Sequence, residues 1–491
     1  MAIKRYYAEK NNTISSAFRE NLTTRATGAN MGLSDVLETF SIYGQASSGS
    51  TELERILIQF PISSISTDRS NGLLPDSGSV SFYLNMYNAP HNETTPRGPK
   101  LVVLPISQSW QEGTGLDMID YKDVTNDGPG SNWINASASH PWTNPGGDYL
   151  TSSHYSQTFP KGTGDLKIDI SDLVEKWIDG TYANYGIGIH LTGTQEAYLS
   201  NSAGANEGPQ LYNPSGSTDT WYTKKFFGRG TEFFYKQPTI EAVWDSTVKD
   251  DRGNFYASSS LLTAEENTNT LYLYNSFRGK LRNLPGVATG NMNVRLYSSS
   301  SAGTLISTHN AGWVSTGIYS ASVELDTTLY DTIYDRWFDT TFTTCYHTGT
   351  IAVKTHEASG YSPYPNYVSS LTNLRPVYYP HETARFRFYV RQKDWSPTIY
   401  TVATTETDTL TIESASYQIY RIVDDLAVIS YNTGSDRGTE MSFDVSGNYF
   451  DLNMELLEPG YSYGIKIAYY DDAVNSYVEQ PYKWKFRVEE V

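Results

Sequence analysis

The sequence predicts an all-β protein made of tandem β-sandwiches, and three observations carry that expectation. The chain has 491 residues, enough for two to four domains that each bury a core. Only 38% of it is hydrophobic, yet 14% is aromatic, with 39 tyrosines; that balance suits twisted sheets whose cores are filled by rings. The third observation is period-two alternation. In SVSFYLNMY, Val80, Phe82, Leu84 and Met86 alternate with Ser81, Tyr83, Asn85 and Tyr87, as in a strand with one core face and one wet face.

The elements of the first domain follow in order. Ile14 and Val36 to Tyr43 read as edge strands, Leu53 to Phe60 as a strand stopped by Pro61, and Leu101 to Leu104 as a continuation of the sheet. Residues 165–191 hold a strand on Leu166, Ile168 and Ile170, then a short helix that Ser171 caps. That helix carries Leu173, Val174, Trp177 and Ile178 on one face and stops at Gly180. A strand follows, with Ile187, Ile189 and Leu191 on one side and Gly186, Gly188 and His190 on the other. Two helical turns are too short to stand alone, so the helix is expected to plug one end of a sandwich.

Between Gln108 and Phe159 runs a loop rich in Gly, Asp, Asn and Trp, and loops of such length carry function or structure of their own. It contains Trp110, Trp133 and Trp142 with the carboxylates Glu112, Asp117, Asp120, Asp123, Asp127 and Asp148. Three readings stand side by side. The rings could contact a glycan or a protein partner, the carboxylates could hold a structural calcium ion, or the rings could pin the loop to the sandwich. Lys224, Lys225 and Arg229 form a basic cluster, either a patch for an acidic partner or a guard against edge pairing.

The first domain is expected to close near Asp245, giving domains at 1–245, 246–372 and 373–491. In the second, LYLYN, MNVRLYS, YSASVEL and TIAVKTH are short strands between Ser-, Gly- and Asn-rich turns, spaced as in an immunoglobulin-like sandwich. Ser359 to Ser370 reads as the connector. The third domain has FRFYV, SYQIYRIV, LAVISY, the Tyr463 to Tyr469 strand and YKWKFRV, in which Trp484, Phe486 and Val488 face inward, as in an immunoglobulin-like or fibronectin-like fold.

Composition also excludes functions. A formal charge of −18 opposes nucleic-acid binding, which needs a basic stripe. One cysteine, Cys345, excludes an intramolecular disulfide and reads as a small core residue. MAIKRYYAEKNNT lacks an apolar stretch behind its basic residues, and no 18-residue apolar run occurs, so a soluble chain without membrane insertion is expected. No G-x-S-x-G, H-E-x-x-H, P-loop or Rossmann glycine pattern appears, and no catalytic residue is assigned. His347 and His356 could approach each other across the second domain, but strand histidines are commonly satisfied structurally.

Several of these segments carry a resemblance. Asn30 to Gly32, ERILIQF (Glu54 to Phe60), SWQEGTGLD (Ser109 to Asp117) and residues 165–191 together resemble the DNRLRE jelly-roll domain, which is similar to a family of carbohydrate-binding modules. That implies a jelly roll over about residues 1–245 and, as one possible ligand class, host-surface glycans. The runs NLTTRATGANMG, YTKKFFGRGTEFF, KDDRGNFY, VRQKDWSPTIYTV and SGNYFDLNMELLE resemble virion structural proteins of tailed bacteriophages of marine bacteria, cyanophages in particular. The resemblance implies a non-enzymatic virion component, made in the host cytoplasm and assembled in several copies with other virion proteins. A neck, collar, tail or baseplate position is expected, with head decoration or glycan-binding adhesion as alternatives.

Overall fold

The computed structural model describes residues 2–19, 23–44, 51–116, 129–199, 211–300, 303–356, 366–393 and 409–490. The protein is all-β: an N-terminal jelly roll followed by two further β-sandwiches. It divides between Trp244 and Asp245 into two compact units.

In the N-terminal unit two sheets face each other. One runs Ile3–Tyr7, Thr239–Val243, Ser81–Met86, Leu166–Asp169. The other runs Trp221–Phe227, Val36–Ile42, Glu52–Gln59, Ile187–Leu191, Lys100–Pro105, Tyr155–Thr158, with Lys10–Ser15 also pairing Glu52–Gln59. Alternation decides what goes between them. Phe82, Leu84 and Met86 meet Ile56, Ile58, Leu101, Val103, Ile187 and Ile189 in one buried cluster. Period-two pleating then sends Leu53, Arg55 and Leu57 to the opposite face of the second sheet, and those residues are buried as well. Every residue of Ile187–Leu191 is buried, so the apolar side of Ile187, Ile189 and Leu191 is covered no more fully than the side of Gly188 and His190. A further layer, made by the loop after residue 108, covers that side.

The short helix is Ser171–Ile178, with Leu173, Val174 and Trp177 buried as expected. Ser171 does not cap it. Its hydroxyl donates to Asp169 Oδ1 at 2.6 Å and accepts from the Phe82 amide at 2.8 Å, stitching the helix to the sheet. A second helix, Ile62–Ser70, begins directly after Pro61 and buries only Ile62 and Ile65. The two helices are joined by Arg69 and Glu175 in a bidentate pair at 2.6 and 2.7 Å, so both close the same end.

The C-terminal unit holds two sandwiches. In the first, seven strands form one continuous path: Phe255–Tyr256, Cys345–Lys354, Thr332–Phe338, Met292–Tyr297, Leu305–Ser315, Ile318–Val323, Asn269–Tyr274. The path curls around Trp337 and Tyr319, both fully buried, and its two ends are joined by a side chain. The Asn269 amide accepts from the Tyr256 N–H and donates to the Tyr256 carbonyl, both at 2.9 Å. The second sandwich sets Tyr367–Leu371, Thr383–Gln392, Gly447–Asn453 and Ser442–Asp444 against Val377–Tyr378, Trp484–Val488, Ser462–Asp471, Ala415–Arg421 and Leu426–Ile429. Its core is aromatic: Tyr417 stacks on Phe450 at 3.8 Å, and Phe386 and Phe388 pack beside them.

The segment joining the units departs from the expected boundaries. Phe443 donates to the Val248 carbonyl at 3.0 Å and the Asp250 N–H donates back to Phe443 at 3.1 Å, so residues 248–250 extend the edge of the C-terminal sandwich. The following turn, Asp251–Gly253, sends Arg252 to Asp335 of the middle sandwich, with two bonds at 2.6 and 2.8 Å. Part of the expected connector, 359–365, lies outside the described residues. Cys345 is exposed, which corrects its reading as a core residue: it stands at the start of Cys345–Lys354, where the pleat turns it outward.

Candidate interaction sites

The three loop tryptophans are brought together, but inside the protein. Trp110, Trp133 and Trp142 are 5%, 0% and 5% exposed and share a cluster with Leu53, Leu57, Ile106 and Ala136 on the outer face of the second sheet. Trp110 donates its indole N–H to the Tyr185 carbonyl at 2.7 Å and Trp142 to that of Asn132 at 2.8 Å. Their faces are covered, so a glycan or partner contact at these rings is ruled out in this conformation. They pin the loop, and by doing so they convert the sheet's wet face into a second core.

The polar residues of the loop serve the same attachment. Beneath it lie Arg55 and Glu196, paired through two bonds at 2.9 and 2.7 Å, with a third from Arg55 to the Gly146 carbonyl at 3.0 Å. His190 lies 3.4 Å from Glu196. Burial alone would raise the Glu196 carboxyl, but the Arg55 guanidinium and His190 outweigh it and hold the group well below the carboxylate range. A Cβ on Gly188 would sit 2.1 Å from the Tyr149 ring, so a glycine there lets Tyr149 lie flat on the strand.

The Trp-x-Glu-Gly turn works by the same close approach. Glu112 accepts from Arg229 through two bonds at 2.9 Å and from the Asn11 amide at 2.8 Å. Gly113 has Asn30 where its Cβ would be, 1.7 Å from Oδ1, and that oxygen accepts from the Gly115 amide at 2.8 Å. Asp148 accepts from the Thr143 and Asn144 amides at 2.7 and 2.9 Å. Glu112 and Asp148 are thus engaged in holding the loop; Asp117, Asp120, Asp123 and Asp127 lie outside the described residues. Among the described residues no group of three His, Cys, Asp or Glu is arranged to hold a metal. His347 and His356 do not converge: His347 is on the Cys345–Lys354 strand, and His356 follows that strand and stacks on Tyr256.

The basic cluster does not form a patch. Lys225 pairs with Glu38 at 3.2 Å, and Arg229 is held by Glu112. Lys224 is 1% exposed, beside Asn88 Oδ1 and over the rings of Phe159 and Phe226. Burial depresses its ammonium to about 7 from an ordinary 10.5, against a weaker pull from Asp165. In the unfolded chain the group binds its proton throughout that window and in the folded chain it does not, so stability rises with pH from about 7 towards 10. Replacing Lys224 by Met should remove that rise and stabilise the N-terminal unit at pH 6 by about 1–3 kcal/mol, measured by urea unfolding at several pH values.

An exposed surface of a different kind lies on the middle sandwich. After Asn269–Tyr274 the chain forms a tight hairpin in which Phe277 faces Lys280 across Arg278 and Gly279, both at positive φ of 51° and 77°. Its base is fastened to the neighbouring turn: Asn275 donates to the Gly317 carbonyl at 2.8 Å, and Asn283 Oδ1 accepts from Gly317 at 2.8 Å and from the Trp313 indole at 3.1 Å. The two turns present Phe277, Leu281, Trp313 and Val314, with Phe277 56% exposed. Around them stand Arg278, Lys280 and Arg282, exposed and in no ion pair among the described residues. Arg278 and Arg282 lie over the Phe277 ring at 5.2 and 5.9 Å. Asp339, an acid at this end, accepts from Thr341, Thr343 and Thr344 of its own loop. Sequence reading missed this surface because SFRGKLRN has no motif; its one signal is three cations within five residues of a strongly acidic chain.

Comparison with known proteins finds similarity among solved structures. No family model and no curated protein matches the chain. Among solved structures, fibronectin(III)-like modules of Clostridium thermocellum CbhA are similar at 13% identity and a TM-score of 0.15, over 50% of this chain and 93% of that one. No helix among the described residues is long and apolar enough to cross a membrane.

Proposed function

We propose that the protein is a non-catalytic structural component that works by joining protein neighbours, several copies at a time, in a larger particle. The particle that the sequence resemblance implies is a tailed-phage virion, with the protein in the neck, collar, tail or baseplate region. The observation supporting this reading is the hydrogen-bonded pair of turns that holds Phe277, Leu281 and Trp313 in solvent among three uncompensated cations. Aromatic and arginine side chains on a rigid base are the types that dominate protein–protein contact energy. The loop that could have served as a glycan platform spends its tryptophans on its own attachment, which weakens the adhesin alternative.

Peptide mass spectrometry on density-purified particles, with copy number measured against the major shell protein, tests the proposal. A fixed, symmetry-related stoichiometry is expected. Recovery of the protein only in the soluble fraction would overturn it.

A further inference from the structure

The middle sandwich has a second exposed end whose chemistry is the inverse of the first. In the antiparallel ladder Asn269 faces Val323 and Tyr274 faces Ile318. The Phe277 hairpin and the Trp313 turn therefore lie at the Tyr274 end, while residues 257–268 and 324–331 lie at the Asn269 end. These two loops are joined there: Ser258 donates to the Leu325 carbonyl at 2.9 Å and Thr268 to Glu324 at 3.2 Å. They expose Leu261 and Leu329, at 92% and 83%, more than the other large hydrophobic residues described. Glu265, Glu266, Glu324, Asp326 and Asp331 are exposed around them, and none is in an ion pair among the described residues. The loops SSSLLTAEEN and ELDTTLYD contain no cation.

One rigid module thus carries an apolar patch ringed by cations at one end and an apolar patch ringed by carboxylates at the other. We propose that copies of this chain associate head to tail through the middle sandwich, the Phe277–Trp313 end of one seated on the Leu261–Leu329 end of the next. This rests on the reading of the protein as a multi-copy assembly component. The charges carry the orientation: two like ends would bring unpaired charges of one sign together over desolvated apolar surface, while unlike ends neutralise them. The contact is heterologous, so it generates a ring if its rotation closes and a filament if it does not. A specific interface usually buries on the order of 1,200–2,000 Å², and two loop tips fall at the weak end of that range. The single contact is therefore salt-sensitive, since charges are screened beyond about 8–10 Å at physiological ionic strength, and the assembly gains strength from repetition.

Velocity sedimentation of the full chain, at low and high salt and over a range of concentration, is the test. Wild type is expected to form concentration-dependent oligomers that dissociate with salt. Arg278→Glu/Lys280→Glu/Arg282→Glu has acidic character at both ends, and Glu265→Lys/Glu266→Lys/Glu324→Lys has basic character at both. Each should be monomeric alone, and an equimolar mixture should associate again, through the native pair of ends and through the charge-reversed pair, which is also opposite in sign. Circular dichroism confirms folding, and Phe277→Ser, which leaves every charge in place, should weaken association at least tenfold. A monomeric wild type at low salt, variants that associate as wild type does, or a mixture that stays monomeric would each overturn the inference. Particle mass spectrometry separates this from the function above: normal incorporation of both charge variants at wild-type copy number would remove the head-to-tail contact and leave the structural role standing.

Discussion

Replacing Asp335 by Ala is expected to destabilise the C-terminal unit by about 3–5 kcal/mol, because it removes one partner of a buried ion pair and leaves the other behind. Asp335 is fully buried, accepts from Arg252 at 2.6 and 2.8 Å and from the Trp337 indole at 2.8 Å. Burial opposes its charge, yet Arg252, through its hydrogen bonds and its charge, holds the carboxyl below its ordinary value. A group shifted down contributes stability above its unfolded pKa and loses it as pH falls through the folded value. The Ala variant should therefore show a smaller loss of stability than wild type on acidification below pH 4. Chemical unfolding of the full chain at pH 7 and pH 3.5 reads both effects. An equal deficit at the two pH values would show that the pair is not ionised as described.

Glu196→Ala is the counterpart in the N-terminal unit, also at about 3–5 kcal/mol, since Arg55 would remain charged under Trp133 with no carboxylate beside it, left to the Gly146 carbonyl and the Tyr149 hydroxyl. The informative comparison is the double variant Arg55→Met/Glu196→Leu. Buried pairs replaced by apolar groups of similar volume are often neutral, so the double variant should recover most of the loss. Denaturant midpoints of the two variants against wild type measure this. A double variant as unstable as the single one would mean that the pair orders the loop by its geometry and not merely by compensating its own charge.

Much of the architecture was legible because period two is a strong signal where one face is apolar. Val80 to Met86, Leu173 to Trp177 and Trp484 to Val488 point as their pattern requires. What misled was the second buried face. Ile187–Leu191 and Glu52–Gln59 read like half-exposed strands, yet Gly188, His190, Arg55 and Leu57 face the side covered by Trp110, Trp133, Ala136 and Trp142. A glycine that admits a tyrosine ring and a paired arginine are both spelled in polar letters. The helix Ile62–Ser70 was missed for the opposite reason: ISSISTDRS has two apolar residues in nine and no capping side chain, and packing at the end of the sandwich, not propensity, makes it helical. The tryptophans read as contacts or, more readily, as rings that pin the loop, since stacking and packing use the same side chains, and only the path of the backbone decides.

The strand-like pairing of residues 248–250 with Phe443 also decides how the C-terminal unit bears force. Tension drawn along the chain from Asp245 meets those hydrogen bonds before it reaches residue 254, and the Lys249–Glu440 pair at 2.7 Å reinforces them. While that clamp holds, the load runs from residue 250 into the C-terminal sandwich and out through Trp484–Val488. The middle sandwich hangs beside this line as a module spliced into the C-terminal unit, and a pull at Asp245 reaches it only after the clamp at residues 248–250 has opened.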